Sequence, residues 1–167
     1  MPSQEIASTV LRVDRRVGRI ARGRVARVPG GPEGARLLAD ATAPAFQLLV
    51  GALVVLPGSR ATGLRALAVG GTAAMVARAL REGIGRERPG ARDDGGFPSR
   101  HATTATAIAL VVARDRPVLG TAALLAAAAG LAARVASADH EPLDIVAGAA
   151  LGATVARLMR RRRRRRS

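Results

Sequence analysis

The sequence predicts an all-α chain: a membrane-embedded bundle of about five apolar helices behind an amphipathic helix. Two long charge-free runs, three shorter ones bounded by Arg, and helical apolar spacing near the start carry that prediction. Residues 41–59 hold no charge for 19 positions and residues 117–133 none for 17, each close to the roughly 20 residues that cross a bilayer. The runs 66–77, 102–113 and 145–156 are shorter. They reach spanning length where the Arg residues at their ends lay their stems along the lipid and keep their heads among the headgroups. A soluble Ala-rich bundle is the competing reading, and it would need a polar face on each helix that these runs do not show. With two Phe and no Trp or Tyr, the chain lacks the usual aromatic belt.

At the start of the chain, Arg12, Arg15, Arg16, Arg19, Arg22, Arg24 and Arg27 interrupt any apolar core of a secretory signal. Val10, Val13, Val17, Ile20 and Val28 recur instead at helical spacing with Arg on the other faces. That pattern reads as a basic amphipathic helix on an anionic membrane surface, with a partly disordered basic arm as the alternative. Pro29-Gly30-Gly31-Pro32 then breaks the chain ahead of the first apolar run. The expected organisation is a basic arm over 1–35, a membrane domain over 36–159 and an Arg-rich cytoplasmic tail over 160–167.

All 27 basic residues are Arg, and against 12 acidic residues they leave a net charge of +15. Such a balance attracts polyanions, nucleic acid among them, yet a nucleic-acid binder has no use for the charge-free runs. Absence of Cys removes disulfides and thiolate metal sites, and two His are too few for a His-rich metal site. No metal or other cofactor is expected. The Ala, Gly, Val and Arg bias without Lys suits a GC-rich bacterial genome.

Two polar insertions interrupt the apolar pattern, 81–101 and 134–144, and in an antiparallel bundle with short connections both fall on one side of the membrane. The chain's two His, His101 and His140, sit one in each. Pro98-Ser99-Arg100-His101 precedes an apolar helix, so Ser99 is placed as a cap and the first-turn N–H groups are placed to receive an anion such as phosphate. After His140 comes Glu141-Pro142-Leu143-Asp144. Pro142 suits the first turn of a helix, which puts Asp144 one turn from His140, able to hold one ring nitrogen and leave the other free to attack. Arg81, Arg88 and Arg134 add guanidinium forks for a tetrahedral oxyanion. Three Arg, a Ser, two His and an Asp can transfer a phosphoryl group with fixed cations meeting the developing charge.

Arg81-(six residues)-Arg88-Pro89, Pro98-Ser99-Arg100-His101 and Arg134-(five residues)-His140-(three residues)-Asp144 resemble, in order and spacing, the three signatures of the type 2 phosphatidic acid phosphatase superfamily, which also holds the vanadium haloperoxidases. The resemblance covers about Leu64 to Met159. It implies that His140 is the nucleophile of a phosphohistidine intermediate, that Asp144 orients it and that His101 protonates the leaving oxygen. It also implies that Arg81, Arg88, Ser99 and Arg134 hold the phosphate. Three positions depart from the family pattern. Arg81 stands for Lys, which keeps the charge. Ala133 stands for Ser, which removes one hydrogen bond of roughly 1 kcal/mol. Arg100 stands for Gly, and its side chain either adds a cation for the headgroup or obstructs the approach of phosphate to backbone.

Helices that end at the motif loops place the site near headgroup depth, which favours a lipid-linked phosphate and a bilayer as the partners. Polyprenyl diphosphate, phosphatidic acid, phosphatidylglycerophosphate and a polyprenyl-phosphoryl-pentose phosphate all stay open, and the oligomeric state is not legible. A catalytically degenerate protein of the same fold and a basic nucleic-acid-binding protein are the alternatives. The expected location is the bacterial cytoplasmic membrane, crossed several times. Counting Arg on the two sides does not choose an orientation, but seven consecutive charges at 160–166 resist translocation, which turns the site outward and leaves the arm either outside or followed by a segment that dips in and returns.

Overall fold

Helix α1 runs over Pro2–Val25 and α2 over Gly31–Val55. Gly30 between them takes φ +70, a left-handed conformation that glycine adopts without a Cβ penalty. Pro32 follows in the first turn of α2, where its missing N–H leaves no bond unmade. The remaining helices are α3 (Arg60–Ile84), α4 (Arg100–Asp115), α5 (Pro117–Ala136) and α6 (Pro142–Arg164). The structure, a computed structural model, describes residues 2–84 and 96–164, and no strand occurs among them. Residues 31–35, placed in the arm on sequence grounds, belong to α2, and the Arg run continues α6 as far as Arg164.

Among the described residues, four helices, α2, α3, α5 and α6, are long and apolar enough to cross a membrane. With the shorter α4 they make the five apolar helices expected behind α1. The 16 residues of α4 rise about 24 Å at 1.5 Å each, short of a hydrocarbon core of about 30 Å. It runs through the centre of the bundle from the His101 end to the Asp115 end, packed against α3, α5 and α6, with Ala102, Thr103, Ala105, Ala107, Ile108, Ala109 and Val112 buried. Its run of Ala and Thr suits that place, because small side chains let several neighbours approach one helix.

Phe46, Val50 and Leu53 of α2 meet Ile108 and Val112 of α4 in one apolar cluster, and Val69 of α3 meets Ala107 and Val155 in a second. Leu48, Met75, Leu125 and Val146 point outward and are exposed, as a bilayer-facing surface requires and a water-facing one does not. A tight seam joins α4 to α6. A Cβ added at Gly148 would lie 2.5 Å from the Ser99 carbonyl oxygen, and one at Gly152 would lie 2.2 Å from that of Thr103. Glycines four residues apart on one helix permit this backbone approach. It fixes the register of the N-terminal ends of α4 and α6, where both His motifs lie.

Candidate active site

Ser99 caps α4: its Oγ accepts from the Ala102 N–H at 3.4 Å, and its carbonyl accepts from Thr103 Oγ1 at 2.9 Å. The Ser99 N–H donates across the seam to the Asp144 carbonyl at 3.0 Å. Two sequence motifs 45 positions apart are thus joined by one backbone hydrogen bond. Ser99 is fully buried, and so are His140 and, within 1%, Asp144.

Asp144 lies in the first turn of α6, which Pro142 begins. Its Oδ2 accepts from the Glu141 N–H at 2.9 Å and stands 3.5 Å from His140 Nδ1. The carboxylate therefore faces one ring nitrogen. At that distance neither ring nitrogen has a hydrogen-bond partner among the described residues, and both are buried. Buried polar atoms are nearly always paired, so an unpaired imidazole nitrogen beside a carboxylate marks a site rather than a structural contact.

The spacing from Arg134 to His140 follows from how α5 ends. The Asp139 N–H donates to the Arg134 carbonyl at 3.0 Å and the Ala138 N–H to that of Val135 at 3.3 Å, the two bonds of a Schellman motif. The His140 N–H adds a third bond, to the Arg134 carbonyl at 3.2 Å. Ala138 occupies the position where glycine is usual and takes φ +62, which costs an L-residue roughly 1–2 kcal/mol. Strain is thus held two residues before His140. Arg134 is itself 5% exposed, its guanidinium donating to the Ala39 carbonyl at 2.8 Å and to Asp139 Oδ2 at 3.3 Å.

His101 and Arg100 lie in the first turn of α4, His101 partly buried and Arg100 exposed. Both line one end of a cavity of about 740 Å³ between α2, α3 and α4. Its walls are mostly apolar or small, Phe46, Val50, Gly70, Gly71 and Ile108 among them. From Thr42 to Val54 along α2 the cavity spans about 18 Å. Arg81, in the last turn of α3 and partly buried, belongs to the same end of the bundle. Arg88 lies outside the described residues. No group of three or more His, Asp or Glu able to hold a metal ion occurs among the described residues.

Of the residues singled out from the sequence, the fold brings Ser99, Arg134, His140 and Asp144 together. Sequence reasoning passed over Gly148 and Gly152, although their spacing of four was visible. It also passed over Ala138, where no glycine signalled the turn, and over Asp14 and Glu141, whose contacts span most of the chain.

No curated protein matches the chain. Among solved structures it is similar to the first transmembrane PAP2-type phosphatidylglycerolphosphate phosphatase from Bacillus subtilis, with a TM-score of 0.71 and 21% identity over 94% of this chain and 87% of that one. That likeness establishes a shared fold. The family model of the PAP2 superfamily matches residues 65–167, which contain both His motifs and every helix from most of α3 onward, and the chain belongs to that superfamily.

Proposed function

We propose that the protein is a multi-pass membrane lipid phosphatase that hydrolyses a lipid-linked phosphomonoester or diphosphate through a phosphohistidine on His140. The observation that carries this reading is the buried His140 ring, with Nδ1 facing Asp144 and Nε2 lacking a partner among the described residues. Asp144 favours the tautomer with the proton on Nδ1, so the Nε2 lone pair attacks phosphorus. The P–O bond to the lipid breaks as the P–N bond forms, and His101 gives its proton to the departing oxygen. Water then attacks the phosphohistidine and loses a proton to His101, and the P–N electron pair returns to His140. Arg81, Arg88 and Arg134 carry the charge on the phosphoryl oxygens, with the Ser99 cap holding the first turn of α4 in place.

Two features support a lipid substrate. His101 stands at one end of an apolar cavity whose length and lining suit a hydrocarbon chain, and the similar solved structure is named for a phosphatidylglycerolphosphate phosphatase. Arg100, exposed at the mouth of the same cavity, fits the role of an added cation for the headgroup better than that of an obstruction. The test is phosphate release by the purified protein in detergent with EDTA present, across phosphatidic acid, phosphatidylglycerophosphate, a polyprenyl diphosphate and a polyprenyl-phosphoryl-pentose phosphate. At least one substrate turns over on this reading, and Arg100→Gly raises KM for it. Silence across the panel leaves the degenerate alternative.

The site faces outward from the cytoplasmic membrane on this account. Arg22 of α1 pairs with Glu141, so the arm lies at the site end, and α2 is one continuous helix rather than a segment that dips and returns. The C-terminal end of α6, where the Arg run begins, lies at the opposite end, and such a run resists translocation. A thiol reagent that cannot cross the membrane is expected to label Val28→Cys and not Ser167→Cys in intact cells; the reverse pattern contradicts the orientation.

A further inference from the structure

We propose that α1 sets the working position of His140, with Asp14 and Arg22 as positioning residues that hold the turn from which the nucleophile projects. The proposal rests on the phosphohistidine reading above. Residues 14, 18 and 22 lie one turn apart on α1 and form a stripe against residues 141–143. Asp14 is 7% exposed, and its Oδ1 accepts from the Leu143 N–H at 2.8 Å. That N–H is in the first turn of α6, where helix geometry offers no partner of its own. The cap comes from 129 residues away.

One turn further along α1, Gly18 lets the helix lie close. A Cβ there would stand 2.0 Å from Glu141 Oε2. Next, Arg22 presents both terminal nitrogens to Glu141, Nη2 to Oε1 at 3.3 Å and Nη1 to Oε2 at 3.4 Å. The two gripped residues, Glu141 and Leu143, are flanked by His140 and Asp144. The Glu141 N–H also donates to Asp144 Oδ2, the oxygen that faces His140 Nδ1. A shift of Glu141 is therefore passed to the carboxylate that orients the ring.

The attachment is mainly polar, with Leu11 and Val25 half-buried beside the stripe. None of the described apolar side chains of α1 belongs to the buried core, and Ile6, Val10, Val13, Val17 and Ile20 are exposed. A helix recruited to complete the core would turn that stripe inward. This one turns its Asp, Gly and Arg stripe toward the catalytic turn and leaves the apolar stripe, flanked by Arg, for the lipid surface.

The test uses the full-length protein and the panel substrate that the wild type hydrolyses fastest. Asp14→Ala is expected to lower kcat about tenfold or more with KM changed less than about twofold, since small misplacements of a reacting group cost up to about a hundredfold. Asp14→Asn keeps an acceptor for the Leu143 N–H and is expected to keep kcat within about threefold of wild type. Gly18→Leu and Arg22→Ala are expected to follow Asp14→Ala, the Arg22 effect being smaller because that pair is partly exposed. A kcat for Asp14→Ala equal to that of Asp14→Asn, or a loss seen only in KM or in thermal midpoint, overturns the positioning role. His140→Ala, assayed beside them, separates the two readings: wild-type turnover in that variant overturns the phosphohistidine instead.

Discussion

At the end of the bundle away from His140, Asp115 accepts hydrogen bonds from Thr62 Oγ1 at 3.0 Å and from Arg65, whose Nη2 also reaches Thr62, while Arg116 donates to the Gly58 carbonyl at 2.6 Å. Asp115, Arg65 and Arg116 are each answered by a neighbour, and the cluster ties the start of α3 to the end of α4. At the other end the same α4 begins beside a buried imidazole whose Nε2 has no partner among the described residues and whose Nδ1 is 3.5 Å from a carboxylate oxygen. One end is closed by its polar groups and the other is held ready by them. The lesson is that burial and charge do not identify a site. An unanswered nitrogen held by an answered backbone does.

The sharpest break of that comparison is at the two imidazoles. His140→Ala is expected to lower phosphate release by about 10⁴-fold or more, as loss of a nucleophile does, and His101→Ala by about 10²–10⁴-fold, the usual range for a general acid. Asp115→Ala, at the closed end, is expected to leave turnover per folded molecule unchanged. Equal losses of turnover at both ends would remove the distinction. Next comes the seam that links the two motifs. Gly148→Val forces a side chain against the Ser99 carbonyl, a backbone contact that cannot rotate away. The expected cost is about 1–3 kcal/mol of stability, together with a fall in kcat as Ser99 and Asp144 lose register. Preserved kcat in that variant would show that the seam serves packing alone.

Smaller effects sharpen the contrast. Asp115→Ala is expected to lower stability by about 1 kcal/mol, since its ion pair with Arg65 is partly exposed, and a thermal midpoint in detergent reads the change. Ala138→Gly runs the other way. Relief of the positive φ is expected to raise stability by about 1 kcal/mol. A drop in the midpoint would mean that Ala138 contributes a contact that outweighs its strain.

Much of this was legible because it is local. Pro142 starting α6 and Asp144 one turn beyond His140 follow from helix periodicity, and the Ser99 cap follows from its place ahead of an apolar run. Long-range facts were hidden for physical reasons. Asp14 sits among seven Arg over residues 12–27 and reads as a solvated charge, yet it is buried against a turn that is 129 residues distant. Likewise, the run 102–113 has the composition of a spanning helix and the burial of a central one, and only the packing of three neighbours around α4 separates the two. The apolar stripe of α1 was visible as a stripe, but its direction is set by the polar contacts of its other face.

The central claim is covalent, so trapping the intermediate tests it most directly. A lipid phosphate radiolabelled in the phosphoryl group is mixed with the protein in detergent, the reaction is quenched in alkali, and label on the polypeptide is measured. The account predicts label that survives alkali and is lost in acid, as for a phosphorus–nitrogen bond, in the wild type and none in His140→Ala. Label that survives acid but not alkali, or undiminished label in His140→Ala, would contradict it.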